Sequence, residues 1–257
     1  MSHLKKLLFC CTLFMLASVA AFTQEAKNAL LIANGDYARD MGVLPQPIPE
    51  ATALKSALES IGFNVTLVKN ANLEDMQKAL VAFKAKTQRE GGYAFFHYGG
   101  HAIQSTGVNY LVPLRVTIED AQDVVYECLD VGTLVTSMNG ESNIVVLDSS
   151  FISPFVGSPV RGLLRPEITQ QNEAFNSFHG NGEMANFIIV YSAIPGTSAR
   201  DGIFTPILTQ RITEKNKSFY EVFQKVRNDV DTATGGTQKA LWQSILFSDI
   251  YLAGDSR

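Results

Sequence analysis

Short apolar runs alternate with longer segments of helical periodicity, and this alternation restricts the possible folds more than any other feature of the chain. Short hydrophobic strands separated by helices are typical of βαβ units around a parallel sheet. We therefore predict an α/β fold with a mostly parallel sheet. The predicted strands are residues 28–34, 63–68, 93–98, 144–147 and 187–191, with a loop at 44–49 and helical spacing at 54–61 and 73–83.

The second half of the chain continues the pattern with less regular spacing. Two further helices are predicted at residues 204–213 and 218–230, and a closing segment at 241–252 has strand character. Residues 153–185 are rich in Gly, Pro, Asn and Ser, which predicts a long loop on the active face. Neither an internal repeat nor a clear linker divides the sequence, so we expect one folded domain.

The N-terminal segment has the layout of a secretory signal peptide. Lys5 and Lys6 precede an apolar run at residues 7–21 that ends in small residues. A run of this length is too short for a comfortable membrane span. We predict a signal peptide at residues 1–21, no stable membrane insertion after its removal, and an exported domain at residues 22–257 that is periplasmic or secreted. An uncleaved anchor is the alternative.

Charge and cysteine content exclude several functional classes. The net charge is −4 and the sequence pI is about 5.6, so no general basic field exists that would attract nucleic acid. Four histidines and three cysteines argue against a Cys/His metal framework. Two of the cysteines lie inside the apolar N-terminal run. The remaining one, Cys128, cannot form an internal disulfide and is expected to be a small core residue.

The ends of the third and fourth predicted strands carry the candidate chemistry. Ligands of open α/β sheets bind beyond the carboxyl ends of the strands. The third strand leads into His101 through two glycines, and the fourth leads into Asp148 and Ser150. His97 lies four residues before His101, a separation of about 13 Å on a strand, so the two histidines are not expected to share a metal ion.

Around these strand ends the chain resembles the caspase-like cysteine peptidases, in particular the bacterial metacaspase-like branch. The resemblance covers nearly the whole segment after the signal peptide. It implies a three-layer α/β sandwich with a mostly parallel central sheet flanked by helices. It also implies that His101 is the general base, that position 150 holds the nucleophile, and that the backbone N–H groups of Ala102 and Ser150 form the oxyanion hole. The matching stretches are residues 98–102, 109–113, 145–151, 191–193, 195–197, 199–202 and 234–238.

The sequence departs from the family at the nucleophile, because Ser150 stands at the position of the catalytic cysteine. A serine hydroxyl is much less acidic than a thiol and needs an aligned base that is itself supported by a carboxylate. The family resembled here has no such strong third member. We therefore expect a peptidase homologue with little or no proteolysis that retains a peptide-binding cleft. The alternative is an active hydrolase in which Ser150 is the nucleophile and His101 the base.

The resemblance also implies that Asp148 and Glu50 line an acidic pocket for an Arg or Lys side chain. The expected partner is therefore a peptide or protein with basic residues. A structural explanation exists for each acid. Glu50 would suit the first turn of a helix, where the helix dipole favours a negative charge. Asp148 would suit a structural carboxylate that accepts loop N–H groups.

We expect no metal ligand and no cofactor. Some metacaspases require calcium, and Glu119, Asp120 and Asp123 form an acidic group that would suit such a site. Arg115 nearby weakens this interpretation, and a solvated loop is the preferred one.

Overall fold

The computed structural model describes residues 25–38, 41–105, 108–149, 186–194 and 197–254. The strands in these ranges are β1 (Lys27–Ala33), β2 (Asn64–Lys69), β3 (Tyr93–Gly99), β4 (Ala102–Ser105), β5 (Val108–Leu111), β6 (Leu129–Asp130), β7 (Ser142–Asp148), β8 (Asn186–Tyr191) and β9 (Leu241–Ile245). Six of them form a sheet of order β2-β1-β3-β7-β8-β9, in which only β9 runs antiparallel to its neighbour. The predicted mostly parallel sheet is confirmed.

Helices cover both faces of this sheet. The described helices are α1 (Pro47–Ser60), α2 (Leu73–Glu90), α3 (Ala121–Glu127), α4 (Val131–Ser137), α5 (Phe204–Arg211) and α6 (Phe219–Ala233). The apolar sides of α1, α5 and α6 pack against one face, and those of α2 and α4 pack against the other. The expected three-layer α/β sandwich is therefore confirmed.

Strand β3 shows why the sheet is central. Successive side chains of a strand point to opposite faces. Phe95 packs in the cluster with α1, α5 and α6, whereas Phe96 packs in the cluster with α2 and α4, and both are fully buried. Burial of each ring contributes about 1.5–3 kcal/mol of favourable transfer free energy. A strand that is apolar on both faces can lie only between two layers of helices.

The boundaries of two predicted elements were wrong. The loop predicted at 44–49 ends early, because α1 already begins at Pro47; proline is well tolerated in the first turn, where its missing N–H has no helical partner. The closing strand ends at Ile245 rather than continuing to residue 252. The side-chain oxygen of Asn186 accepts hydrogen bonds from the backbone N–H groups of Phe247 and Ser248, at 2.8 and 3.2 Å, and this ends the β8–β9 ladder.

A second, three-stranded sheet of order β4-β5-β6 follows β3. No strand was predicted here, because strands of two to four residues are too short for a clear alternation. Its apolar side chains, including Ile103, Tyr110 and Cys128, form a small separate cluster with Tyr37. Burial raises the pKa of the Cys128 thiol to about 12, in keeping with a core residue. Among the described helices, none has the length and apolar character of a membrane span.

Two predictions lie outside the described residues. The signal peptide at residues 1–21 and the long loop at 153–185 both fall there.

Candidate active site

The carboxyl ends of β3 and β7 lie side by side, with Gly99 paired to Asp148. His101 follows β3 by two residues, and Ser149 follows β7 directly. The Ser149 hydroxyl donates to the Gly100 carbonyl at 2.7 Å and so joins the two strand ends. The structure thus brings the His101 motif and the Asp148–Ser149 strand end together, as predicted. Ser150, the predicted nucleophile, lies outside the described residues.

A backbone carbonyl holds the His101 ring. Nε2 of His101 lies 2.7 Å from the carbonyl oxygen of Gly42. A carbonyl can only accept, so Nε2 carries the hydrogen, and in the neutral ring Nδ1 keeps the lone pair that can take up a proton. The Tyr37 ring packs against the imidazole, with the two ring centres 4.5 Å apart. Sequence reasoning missed Gly42, because a backbone carbonyl leaves no residue-type signal.

Two tyrosine hydroxyls fix the backbone of His101. The His101 N–H donates to the Tyr37 hydroxyl at 3.0 Å, and the Tyr98 hydroxyl donates to the His101 carbonyl at 2.8 Å. Both hydroxyls also lie within 2.9 Å of the Val112 carbonyl oxygen. A Cβ on Gly100 would lie 2.6 and 2.7 Å from the two hydroxyl oxygens, so this arrangement requires glycine at position 100.

Ala102, the predicted oxyanion-hole residue, begins β4. The Val112 N–H donates to the His101 carbonyl, which makes His101 and Val112 a hydrogen-bonded pair of the antiparallel ladder. Adjacent pairs alternate in such a ladder, so the next pair, Ala102 and Leu111, is not hydrogen-bonded and the Ala102 N–H points away from β5. Ala102 is absent from the non-glycine residues with positive φ, so alanine fits its backbone conformation. This orientation suits an oxyanion donor.

A cavity of about 860 Å³ opens beside His101 and Ala102. Both predicted pocket acids, Glu50 and Asp148, line it, and so does Asp201, which sequence reasoning missed. Asp201 reaches the cavity through the segment between β8 and α5, a placement that no local pattern reveals. Glu119 lines the cavity as a fourth acid, and apolar side chains form much of the remaining lining. Its apolar side chains include Met41, Leu44, Val112, Val116 and Ile118.

Glu50 is an almost fully buried carboxyl group with one unsatisfied oxygen. It is 9% exposed, and its Oε1 has no hydrogen-bond partner among the described residues. Burial, together with the charges of Asp148 and Asp201, raises the pKa of Glu50 from 4.5 to about 8. The position in the first turn of α1 that the structural explanation requires is also observed. Glu50 therefore has a place in the helix and faces the cavity as well.

The carboxyl groups of Asp148 and Asp201 are better supported. Burial raises the pKa of Asp148, but the Thr205 hydroxyl and backbone N–H oppose this by donating to its Oδ2 at 2.6 and 3.2 Å. Burial also raises the pKa of Asp201, opposed by a backbone hydrogen bond from Gln46 and by the charge of His101. With Glu119, four acids line one cavity, and a positive charge inside it would relieve their mutual repulsion.

Two of the residues considered for calcium, Asp120 and Asp123, cap a helix in the structure, and the third, Glu119, lines the cavity. The Asp120 side chain accepts from the backbone N–H groups of Gln122 and Asp123, and the Asp123 side chain accepts from those of Glu119 and Asp120. This reciprocal cap begins α3. Within the described ranges, no three His, Cys, Asp or Glu side chains cluster as metal ligands.

Comparison with protein-family models matches the model of the caspase domain to residues 26–251. The chain belongs to the caspase domain family of peptidases. The match begins one residue before β1 and ends after β9, so it includes the sheet, both strand ends and the cavity. No curated protein matches the chain. We therefore interpret His101, Ala102 and the acids of the cavity as parts of a caspase domain.

Proposed function

We propose that this caspase domain is a metacaspase-like peptidase homologue that binds peptides through an arginine or lysine side chain and hydrolyses them very slowly or not at all. The observation that carries the proposal is the cavity beside His101 with its four carboxyl groups. The protein is proposed to act after export and removal of the signal peptide.

The charge of the cavity supports a basic guest. Asp148 is oriented by Thr205, and Oε1 of Glu50 is buried without a hydrogen-bond partner among the described residues. A guanidinium or ammonium group would donate to these oxygens through charge-assisted hydrogen bonds. Arg200 also lines the cavity and is exposed to solvent, and its guanidinium leaves the four carboxyl groups in excess.

The surroundings of His101 support slow hydrolysis. In the described part of the chain, the ring donates to the Gly42 carbonyl and makes no hydrogen bond to a carboxylate. A carbonyl orients the imidazole but carries no charge to stabilise the imidazolium that forms when serine is deprotonated. A cysteine thiol tolerates this arrangement because it is already partly ionised near neutral pH. Ser150 at the nucleophile position does not have that advantage.

The alternative, a hydrolase with Ser150 as nucleophile and His101 as base, is compatible with two observations. The carbonyl of Gly42 fixes the tautomer in which Nδ1 can accept a proton, and the Ala102 N–H points away from β5, where it could serve as an oxyanion donor. Both features serve cysteine and serine chemistry equally.

Peptide binding tests the proposal. Residues 22–257 would be titrated by calorimetry with an acetylated tetrapeptide that ends in arginine amide, and with the same peptide containing citrulline. Citrulline keeps the shape and removes the charge. Loss of one hydrogen bond to a charged group costs about 1.5–3 kcal/mol, so we expect about tenfold to hundredfold weaker binding of citrulline. Equal affinities would refute the acidic pocket.

A matched control separates the effect of the cavity acids on binding from the effect of the protein's overall charge. Asp148→Asn should weaken arginine-peptide binding by a similar factor, whereas Asp249→Asn makes the same charge change at an exposed position outside the cavity and should leave it unchanged. Addition of calcium or of a chelator should not alter the affinity, since the proposed contacts involve side chains alone.

A further inference from the structure

A buried histidine outside the His101 site is connected to the cavity. His97 in β3 is 1% exposed, and burial lowers its pKa to about 3, so its ring is neutral. Its Nε2 lies 2.9 Å from the hydroxyl oxygen of Thr205, which is itself fully buried in the first turn of α5. The same hydroxyl oxygen lies 2.6 Å from Oδ2 of Asp148. These three side chains form a continuous chain from the core to the cavity.

The chemistry of the three groups gives this chain a direction. An ionised carboxylate only accepts, so the Thr205 hydroxyl donates to Asp148 and its oxygen accepts the Nε2–H of His97. The reverse direction, with a proton on Asp148, would require the hydrogen of His97 to lie on Nδ1. Nδ1 is buried and has no hydrogen-bond partner among the described residues. A buried N–H without an acceptor is strongly disfavoured, so the chain keeps Oδ2 of Asp148 an acceptor and disfavours a proton on it.

The charged groups around Asp148 show why such support is needed. The charge of Asp201, ahead of α5, raises the pKa of Asp148, and Glu50 on α1 and Glu119 line the same cavity. His101 and Arg200 also line the cavity and favour that charge. The hydroxyl and backbone N–H of Thr205 donate to Oδ2 of Asp148, and a side-chain hydrogen bond from Ser192 also lowers the pKa of Asp148.

We propose that His97 is a positioning residue that, through Thr205, holds Asp148 ionised and directed to the cavity, and so strengthens the binding of a cationic side chain. The link to ligand binding rests on the function proposed above. The effect on Asp148 itself does not, because it is a property of the unliganded protein.

The first experiment follows the Asp148 carboxyl by NMR in the unliganded protein. Residues 22–257 would be labelled at the aspartate carboxyl carbons, with the Asp148 signal assigned by its loss in Asp148→Asn. Thr205→Val removes the hydroxyl donor and keeps the backbone N–H. We expect it to raise the acid titration midpoint of Asp148 by about one to two pH units, a tenfold to hundredfold change in the acid constant. His97→Phe should change the acid constant about twofold to fivefold in the same direction, since it removes only the polarising donor.

A conservative variant and a double variant distinguish a positioning role of His97 from a role in packing alone. His97→Gln keeps an N–H that can reach the Thr205 hydroxyl and should titrate within about twofold of the unmodified protein. In the Thr205→Val background, His97→Phe should have no further effect, because its route to Asp148 is gone. The proposal is overturned if His97→Phe has no effect alone, if its effect adds to that of Thr205→Val, or if His97→Gln behaves like His97→Phe.

A measurement on the unmodified protein covers the case in which His97→Phe does not fold. The ¹⁵N shifts of the His97 ring should show hydrogen on Nε2 and a bare Nδ1. Hydrogen on Nδ1 would reverse the chain and overturn the proposal.

Peptide affinity then separates the two proposals. Arginine-peptide binding should weaken in Thr205→Val by about the factor seen in the titration, and should remain near normal in His97→Gln. If the unmodified protein does not bind the arginine peptide while the NMR results hold, the proposed function fails and the role of His97 stands. If the peptide binds and the NMR results fail, the role of His97 fails and the proposed function stands.

Discussion

Replacement of Glu50 by glutamine should remove a pH dependence from the stability of the fold. The pKa of Glu50 is raised from 4.5 to about 8, mainly by burial. Between these values the folded protein holds a proton on Glu50 that the unfolded chain has released. The free energy of unfolding therefore falls as the pH rises from about 4.5 to 8, because ionisation of Glu50 stabilises the unfolded chain while the carboxyl group in the folded protein stays protonated beside Asp148 and Asp201.

The magnitude follows from the size of the shift. A change from 4.5 to about 8 corresponds to about 5 kcal/mol at most. Solvent that enters through the cavity reduces this to about 2–3 kcal/mol. From pH 4 to pH 9, the free energy of unfolding of Glu50→Gln relative to that of the unmodified protein should therefore rise by that amount. Other titrating groups are common to both proteins and cancel in the difference.

Urea denaturation followed by circular dichroism, in steps of one pH unit, measures this difference. Asp249→Asn is the control, because it makes the same change from acid to amide at an exposed position outside the cavity. A constant difference between Glu50→Gln and the unmodified protein across the range would refute the account of Glu50 as a neutral, buried acid.

Three further predictions concern the framework of the site and the chain's processing. Gly100→Ala should lower the free energy of unfolding by about 1–3 kcal/mol, because its methyl group would displace the hydroxyls of Tyr37 and Tyr98. An unchanged melting temperature would contradict the role of these two hydroxyls in fixing the His101 backbone. Cys128 in residues 22–257 should be unreactive toward a thiol reagent in the native protein and fully reactive in urea, since the thiol is buried and its pKa is about 12. Rapid labelling of the native protein would show that the small apolar cluster around Cys128 is open to solvent. The full-length chain expressed in a bacterium should yield a product with the mass of residues 22–257, or one residue longer, in the exported fraction; an intact N-terminus would favour the uncleaved anchor.

Periodicity was sufficient to predict the central sheet and the layers of helices. The strands that lead to His101 and Asp148 are long and apolar on both faces, so their burial and parallel pairing followed from the sequence. The meeting of the two strand ends followed in turn from the parallel sheet. Strands β4 to β6 escaped prediction because each is too short to show an alternation.

Long-range partners of the site could not be predicted. His97 was correctly expected to be a sheet residue, but its partner Thr205 lies 108 positions later in the chain. The Gly42 carbonyl orients His101 with a group that every residue carries. Asp201 reaches the cavity only because the segment ahead of α5 folds back over the strand ends. Each contact depends on how distant segments meet, and short motifs carry no information about that.

The most direct test of the central claim is peptidase activity at position 150. Residues 22–257 would be assayed on a fluorogenic peptide with arginine before the scissile bond, beside Ser150→Cys, Ser150→Ala and the pair Ser150→Cys with His101→Ala. Loss of an active nucleophile costs up to about 10⁶ in kcat. The account predicts that Ser150→Cys alone cleaves the arginine peptide, and that it does not cleave the citrulline analogue. Cleavage by the unmodified protein that is lost in Ser150→Ala would contradict the account and identify a serine-using hydrolase, and an inactive Ser150→Cys would show that the scaffold is not a disarmed peptidase.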